Sequence, residues 1–433
     1  MIQKPKGTYD VYDKKGRTFQ ELEKLMTVLM ENYHYEYIRT PHFEASDLFH
    51  RSVGESSDIV SKETYDFLDR GNRNMTLRPE GTAGVVRSYI ENKMYGDPIM
   101  PRKLWYYGPM YRYERPQSGR FREFYQFGVE VFGSGSPMMD AEIISIPVNF
   151  YRLLGLKGIK VNINTLGDQE SRKNYREALV EYFKPHLGHL CEDCQTRFEK
   201  NPLRILDCKI DHATDIMKNA PKITDYLNEE SKKHFEDVKR YLTALKIDYE
   251  VVPDLVRGLD YYTHTVFEVE AAIEGFGSQN VLCGGGRYNH LVETIGGPEI
   301  PGVGFAMGLE RLLDALDCEE IDIAGESSLD VYVIPMTGME DYALSLSNDL
   351  RLSGFQVEMD YMNRKMQNNF KQADRFHSKI IIIIGENEAK ENILTIKDNH
   401  TKQEYKVKLE DIVEFLDEKL AEECDCEGCH HED

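Results

Sequence analysis

Residues 256–269 read Val-Arg-Gly-Leu-Asp-Tyr-Tyr-Thr-His-Thr-Val-Phe-Glu-Val, so an arginine, an acid and two adjacent tyrosines stand directly before an apolar strand pattern. Starting a strand needs no such hydrogen-bonding capacity. Either these side chains cap the strand and enter a core, or they face something polar. A second concentration spans 103–133. An incoming strand pattern (103–114) carries Arg112 and Glu114, a loop (115–123) clusters Arg115, Arg120 and Arg122, and a returning strand follows. Side chains alternate along a strand. Tyr125, Phe127, Val129 and Val131 therefore form one wholly apolar face, and Phe124, Gln126, Glu130 and Phe132 the other. A buried carboxylate is costly alone, so Glu130 requires a cationic or N–H partner. The hairpin reads as an anion-binding loop above a floor that has its own acid; the competing reading is a solvated surface hairpin.

Three further patterns bear on chemistry. Cys191, Cys194, Cys208 and His212 follow C-x2-C-x13-C-x3-H, donor types that can hold a structural zinc. Gly302-x-Gly304-x-x-x-Gly308 does not have the spacing of a dinucleotide-binding fingerprint, and Leu-Cys-Gly-Gly-Gly-Arg-Tyr (282–288) lacks the Lys-Ser/Thr of a P-loop. Both read as close backbone approaches in a site floor. Residues 363–379 carry Arg364, Lys365, Lys371, Arg375 and Lys379 against the single acid Asp374, in a helical pattern. Such a face meets phosphates, while Gln367 and Asn368 reach bases; an ordinary solvated helix face is the alternative.

Elements must position these groups. Phe19, Leu22, Met26, Leu29 and Tyr33 recur at helical steps within 16–33, marking a buried face or a dimer seam. Residues 64–82 predict a hairpin turning near Gly71 and a helix after Pro79. Charge-rich, helical residues from about 168 to 250 read as an insertion between strands. The core returns over 251–316. A compositional shift near 318–328 marks a linker. Strand patterns at 329–336, 355–359 and 380–385, with helices between, predict a small, partly parallel sheet.

The chain has 433 residues and a net charge of −22, which argues against a generic nucleic-acid coat but leaves room for a local basic face. Apolar runs fall short of a membrane span, and the N-terminal stretch has no signal-peptide core. Eight unevenly spread cysteines do not form a disulfide framework. These features together predict a reduced, cytoplasmic enzyme.

The 108–133 stretch resembles motif 2 of the class II aminoacyl-tRNA synthetases. Residues 302–312 are similar to their motif 3, and the first helix with 37–44, including Pro41, to motif 1. Within that class, 76–82, 256–269 and 282–291 resemble the signatures of the histidyl-tRNA synthetase family, and the likeness runs to about residue 420. It implies an α+β fold. A class II antiparallel-sheet catalytic domain (1–325, with the insertion at about 170–250) would precede a smaller α/β anticodon-binding domain (326–420) and a disordered tail (421–433). The tail's Cys424, Cys426, Cys429, His430 and His431 are either solvated or a metal-binding cluster.

The resemblance also implies substrates and roles: L-histidine, ATP with Mg2+, and tRNA(His), handled by a homodimer. It assigns Glu130 and Tyr262 to the imidazole, with Tyr261 beside them. Glu80, Thr82 and Gln126 go to the α-ammonium, with Gly81 in the same histidine site. Glu130's missing partner would then be the ligand itself. Arg112 goes to the α-phosphate region as a catalytic group, Glu114 and Arg120 to ATP, Phe124 to adenine and Arg311 to the γ-phosphate. Arg257 is assigned catalysis, stabilising charge that develops at the α-phosphate. Gln117 and Arg122 go to the tRNA acceptor end, and Arg364, Lys365, Lys371 and Arg375 to the anticodon. The family does not require zinc at the insertion cysteines. Two rival readings are a catalytically silent regulatory partner of ATP phosphoribosyltransferase and a histidine or uncharged-tRNA sensor. The former typically lacks the C-terminal domain and departs from the pocket motifs; no output domain accompanies the latter.

Overall fold

The 103–133 hairpin forms two antiparallel strands, Arg102–Tyr111 and Glu123–Phe132, in a computed structural model that describes every residue except 54–58, 118, 207, 209, 260, 274, 275, 277–279, 326 and 425–433. Their register pairs Leu104 with Glu130, Tyr106 with Gly128 and Gly108 with Gln126. The apolar face falls as the alternation requires: Phe127, Val129 and Val131 are buried in the main core. That core is closed by helices Pro137–Leu153 and Leu309–Cys318 and by the first helix, Asp13–Asn32, which buries Phe19, Leu22, Met26 and Leu29. Tyr33 lies just past that helix as its C-cap.

The hairpin belongs to an eight-stranded sheet. From one edge the strands run Glu36–Tyr37, Arg102–Tyr111, Glu123–Phe132, Gly302–Gly308, Val281–Arg287, Thr263–Ala271, Ile159–Thr165 and Tyr249–Val251. The two edge strands pair parallel and all other pairs are antiparallel. A smaller three-stranded sheet holds the expected hairpin Tyr65–Leu68/Asn74–Leu77, with the helix after Pro79 at Thr82–Glu91. Helices Gln169–Phe183, Glu192–Lys200, Asp215–Lys218 and Glu229–Ala244 make up the insertion between the last two strands of the large sheet's far edge.

Arg287 anchors the sheet to the helix Pro137–Leu153. Its side chain is fully buried, donates to both Asp140 carboxylate oxygens, and reaches the carbonyls of Ser134 and Ser136. Although burial opposes ionisation of Asp140, Arg287 holds its carboxyl well below the usual range. Removing one partner leaves an uncompensated buried charge, so Arg287→Met should cost about 3–5 kcal/mol. A urea midpoint unchanged by the substitution would contradict this.

The chain divides into two compact units, Met1–Ile323 and Ala324–Asp433. In the second, strands Val357–Met359, Leu329–Pro335 and Ser378–Ile384 are parallel, and Ile393–Asp398 and Glu404–Lys408 add antiparallel strands that the sequence reading did not foresee. The helix expected across 363–379 is shorter, Met366–Arg375, because Asp360 accepts from the Met362 and Arg364 amides and turns the chain before it, while a strand starts at Ser378. The last helix continues to Cys424, so the expected tail boundary at 421 falls inside it. The tail's Cys426, Cys429, His430 and His431 lie outside the described residues, as does Asp260.

Candidate active site

One cavity of about 760 Å³ opens over the polar face of the hairpin. Beneath its lining residues Thr82, Tyr288 and Gly304 lies Glu130, which is 1% exposed. The cationic partner expected for this carboxylate is not there. Three hydroxyls serve instead: Thr82 Oγ1 donates at 2.7 Å, Tyr106 at 3.4 Å, and Tyr288 makes a third, shorter bond. Burial pushes the carboxyl up to about 8, although these hydroxyls draw it partly back and Glu80 adds to the rise. A protonated carboxyl can sit among hydroxyls without a cation, which resolves the burial problem without a ligand.

Glycines make room for this nest. A Cβ on Gly304 would lie 2.3 Å from a Glu130 oxygen, and one on Gly81 or Gly128 would strike the Tyr106 ring at 2.3–2.4 Å. Close backbone approach is thus what these glycines provide. Tyr106 and Tyr288 were missed from sequence. The Tyr106 signal was present: it lies opposite Gly128 in the hairpin register, on the face of Gln126 and Glu130.

Around the floor stand Glu80, Thr82, Gln126, Tyr261 and Tyr262. Glu80 caps the helix Thr82–Glu91, accepting from the Thr82 and Ala83 amides at 2.7 and 2.9 Å. Burial raises its pKa, and those amides partly offset the effect. Gln126 Oε1 is buried without a hydrogen-bond partner among the described residues, an acceptor available to an ammonium group. Tyr261 packs against both Tyr262 and Tyr288, with centroids 4.7 and 5.6 Å apart.

The opposite wall is cationic. Arg112, Arg120, Arg257 and Arg311 all line the cavity, with Glu114 among them. Arg112 is held by the Pro79 carbonyl at 2.9 Å and sits over the Phe124 ring. Glu114 approaches Arg120 at 3.4 Å and Arg112 at 3.9 Å. Arg311 projects from the first turn of Leu309–Cys318 and donates to the carbonyls of Gly119 and Val281. Burial and then Arg120 lower its pKa, as expected of cations crowded together before an anion arrives. Arg257 is paired with Glu268, and its guanidinium lies where a Cβ on Gly284 would stand. Burial opposes its charge, but Glu268 more than compensates and holds the guanidinium ionised. Glu268 was also missed; it faces Gly284 across the sheet.

Not every candidate enters this cavity. Arg122 stacks on Tyr113 at 4.1 Å, and its amide donates to Gly7. Gln117 is exposed and bridged to Arg120 in the loop. The insertion cysteines converge, but the fourth donor is Asp211, not His212: Cys191, Cys194, Cys208 and Asp211 place their donor atoms within 4.8 Å of one another, while His212 is exposed. The turn after Cys208 directs residue 211 inward and residue 212 outward. In the second unit Lys365, Lys371 and Arg375 are exposed, whereas Arg364 is tied to Asp360 at 2.7 Å.

Residues 7–312 match the family model described as histidyl-tRNA synthetase, and 330–419 match one described as an anticodon binding domain. The chain belongs to the histidyl-tRNA synthetase family. It is 52% identical to a histidine–tRNA ligase of Bacillus cytotoxicus over 97% of this chain and 99% of that one. The crystal structure of apo S. aureus histidyl-tRNA synthetase aligns with a TM-score of 0.83 and 44% identity, covering 96% of this chain and all of that one. As a member of the histidyl-tRNA synthetase family the chain is a histidine–tRNA ligase of class II, a family that uses ATP and Mg2+. A Bacillus halodurans protein titled an ATP phosphoribosyltransferase regulatory subunit/histidyl-tRNA synthetase aligns at 22% identity and a TM-score of 0.59, over 88% of this chain and 98% of that one; at that distance it shares the fold alone. No helix among the described residues is long and apolar enough to cross a membrane.

Proposed function

We propose that the cavity holds histidine on the Glu130 floor and ATP against the arginine wall, and forms histidyl-adenylate between them. The observation that carries this reading is one cavity in which an unpartnered amide oxygen, above the buried Glu130 carboxyl held by the lining residues Thr82 and Tyr288, faces a wall that includes Arg112, Arg120, Arg257 and Arg311. Glu130 and Tyr262 address the imidazole; Glu80, Thr82 and Gln126 address the α-ammonium. Phe124 stacks adenine, Arg112 and Arg257 meet the α-phosphate, and Arg120 and Arg311 the outer phosphates. Glu114 and Glu268 are oxygen donors of the kind Mg2+ takes beside a polyphosphate.

A histidine carboxylate oxygen attacks the α-phosphorus, and pyrophosphate leaves. A hydroxyl of the terminal adenosine of tRNA(His) then attacks the acyl carbonyl, and AMP leaves. Positioning and charge stabilisation suffice, without a covalent enzyme intermediate. Gln117 and Arg122, on the loop, meet the acceptor end in this reading. Lys365, Lys371 and Arg375 supply the phosphate-facing charge of the anticodon contact. Translation consumes the product, and that supports a cytoplasmic location.

Tyr37, Phe43, Phe67 and Leu68 are exposed near the motif 1 segment, as are Leu25 and Val28 on the first helix. Apolar groups concentrated this way favour a homodimer seam. Histidine-dependent exchange of pyrophosphate into ATP, across a panel of amino acids, tests the activity reading. Exchange with histidine alone is expected; no exchange from folded protein would return the regulatory reading. Light scattering should give twice the 50.2 kDa chain mass, and an active monomer would overturn the seam.

A further inference from the structure

We propose that Cys191, Cys194, Cys208 and Asp211 bind one structural zinc ion that clips the insertion together beside the active-site cavity. The four donor atoms lie within 4.8 Å of one another, and all but Cys191 belong to buried residues. Zinc–sulfur bonds of ~2.3 Å in a tetrahedron set sulfur atoms ~3.8 Å apart. Cys191 and Cys208 already stand at 3.6 Å, and Cys208 Sγ lies 3.5 Å from Asp211 Oδ2.

The backbone supports the same arrangement. Asp211 N–H donates to Cys208 Sγ at 3.3 Å, and Cys191 N–H donates to Asp211 Oδ2 at 3.0 Å. Such outer bonds orient ligands toward a metal. Asp211 is 5% exposed, and its carboxylate faces the three cysteines. A buried carboxylate ringed by three thiols gains from the counter-charge that a divalent cation supplies. On binding, the three thiols release their protons to water as thiolates, and the carboxylate coordinates as it is. Three sulfurs and one oxygen gathered within 4.8 Å of one another select zinc over hard cations.

The clip also has a mechanical consequence. It joins the helix Glu192–Lys200 to the segment after it, and the two are further tied by Arg197 donating to the Arg204 carbonyl. Arg204 in turn donates to the carbonyl of Gly258, next to Arg257. Cys208 and Arg197 line the active-site cavity. Zinc would therefore stiffen the wall from which the 256–262 segment is held. The proposal stands independently of the substrate assignment, because metal content is measured without turnover.

Elemental analysis of the untagged full-length protein, purified without chelator, should find one zinc per chain. Cys191→Ser with Cys208→Ser should abolish it. Cys424→Ser, Cys426→Ser and Cys429→Ser together should leave it, and so should His212→Ala. Asp211→Ala should weaken zinc binding by more than the about 10–100-fold that loss of an outer partner costs. Zinc that survives the insertion double substitution, or departs with the tail cysteines, would overturn the proposal. So would metal-free protein with Cys191 and Cys208 oxidised to a disulfide, read as a mass 2 Da lower. If the double variant fails to fold, cobalt exchanged into the natural chain decides: intense thiolate-to-cobalt charge transfer, retained in the tail variant, is expected, and its absence overturns the site.

Discussion

Glu130→Gln should make the ligand-free enzyme more resistant to unfolding above pH 8 and, in the same preparation, cost about 10³-fold or more in histidine-dependent kcat/KM. The two effects share one cause. Burial pushes the Glu130 carboxyl up to about 8, against 4.5 for an ordinary glutamate. Between those values the folded state holds a proton that the unfolded chain has released. Stability from this group is therefore complete below pH 4.5 and is lost as pH rises through 8. Glutamine keeps the volume, can accept from one of Thr82 and Tyr288 through its oxygen while its NH2 donates to the other hydroxyl, and has no proton to lose, so the alkaline loss disappears. Activity falls because a site built to pair a polar ring discriminates through groups that must not be left unpaired, and an amide cannot exchange a proton with imidazole as a carboxyl poised near neutrality can. Melting temperatures of both proteins from pH 6 to 9 read the first effect, and pyrophosphate exchange the second. Parallel pH slopes, or a variant with unimpaired exchange, would contradict this account of the floor.

Much of the large sheet was legible because strand alternation is a strict rule. The apolar set Phe127, Val129 and Val131 and the polar set Gln126 and Glu130 follow from period two alone. Gly302 and Gly304 read correctly as close approaches, to the Tyr288 ring and the Glu130 carboxylate, whereas a Cβ on Gly308 would meet open space. What was not legible depends on pairing between distant segments. Tyr288 comes to Glu130 only after the intervening strand Gly302–Gly308 fixes the register, and Glu268 comes to Arg257 only through Gly284. The rule that a buried carboxylate needs a partner held, but hydroxyls met it, because burial can be accommodated by keeping the proton. His212 had the better spacing on paper; the local turn put Asp211 at the cysteines instead. In the second unit, two short antiparallel strands lay hidden in polar, alternating stretches whose pairing is set by the Asp398 turn, whose carboxylate accepts from the His400 and Thr401 amides.

Arg257→Ala should lower the rate of adenylate formation about 10³-fold, ~4 kcal/mol, while the histidine dissociation constant shifts no more than about threefold. The guanidinium is fixed before any substrate arrives: Glu268 grips one side, Gly284 admits its plane, and Gly258 beside it is held by Arg204. A charge held in place needs no reorganisation when negative charge grows on the α-phosphate, which is why its effect belongs to the rate and not to the binding of a neutral-sided amino acid. Removing it also frees Glu268, whose carboxylate would repel phosphate, so the single variant alone does not separate lost attraction from new repulsion. The double variant Arg257→Ala/Glu268→Gln does. If attraction is the cause, the double variant stays within a few-fold of the single one; recovery to near the natural rate would assign the loss to the orphaned acid. Arg257→Lys should recover part of the rate, since an ammonium supplies the charge without the fork that spans Glu268 and a phosphate oxygen. Equal losses in histidine binding and in turnover for Arg257→Ala would argue instead that Arg257 shapes the histidine pocket and leaves the transition state to Arg112.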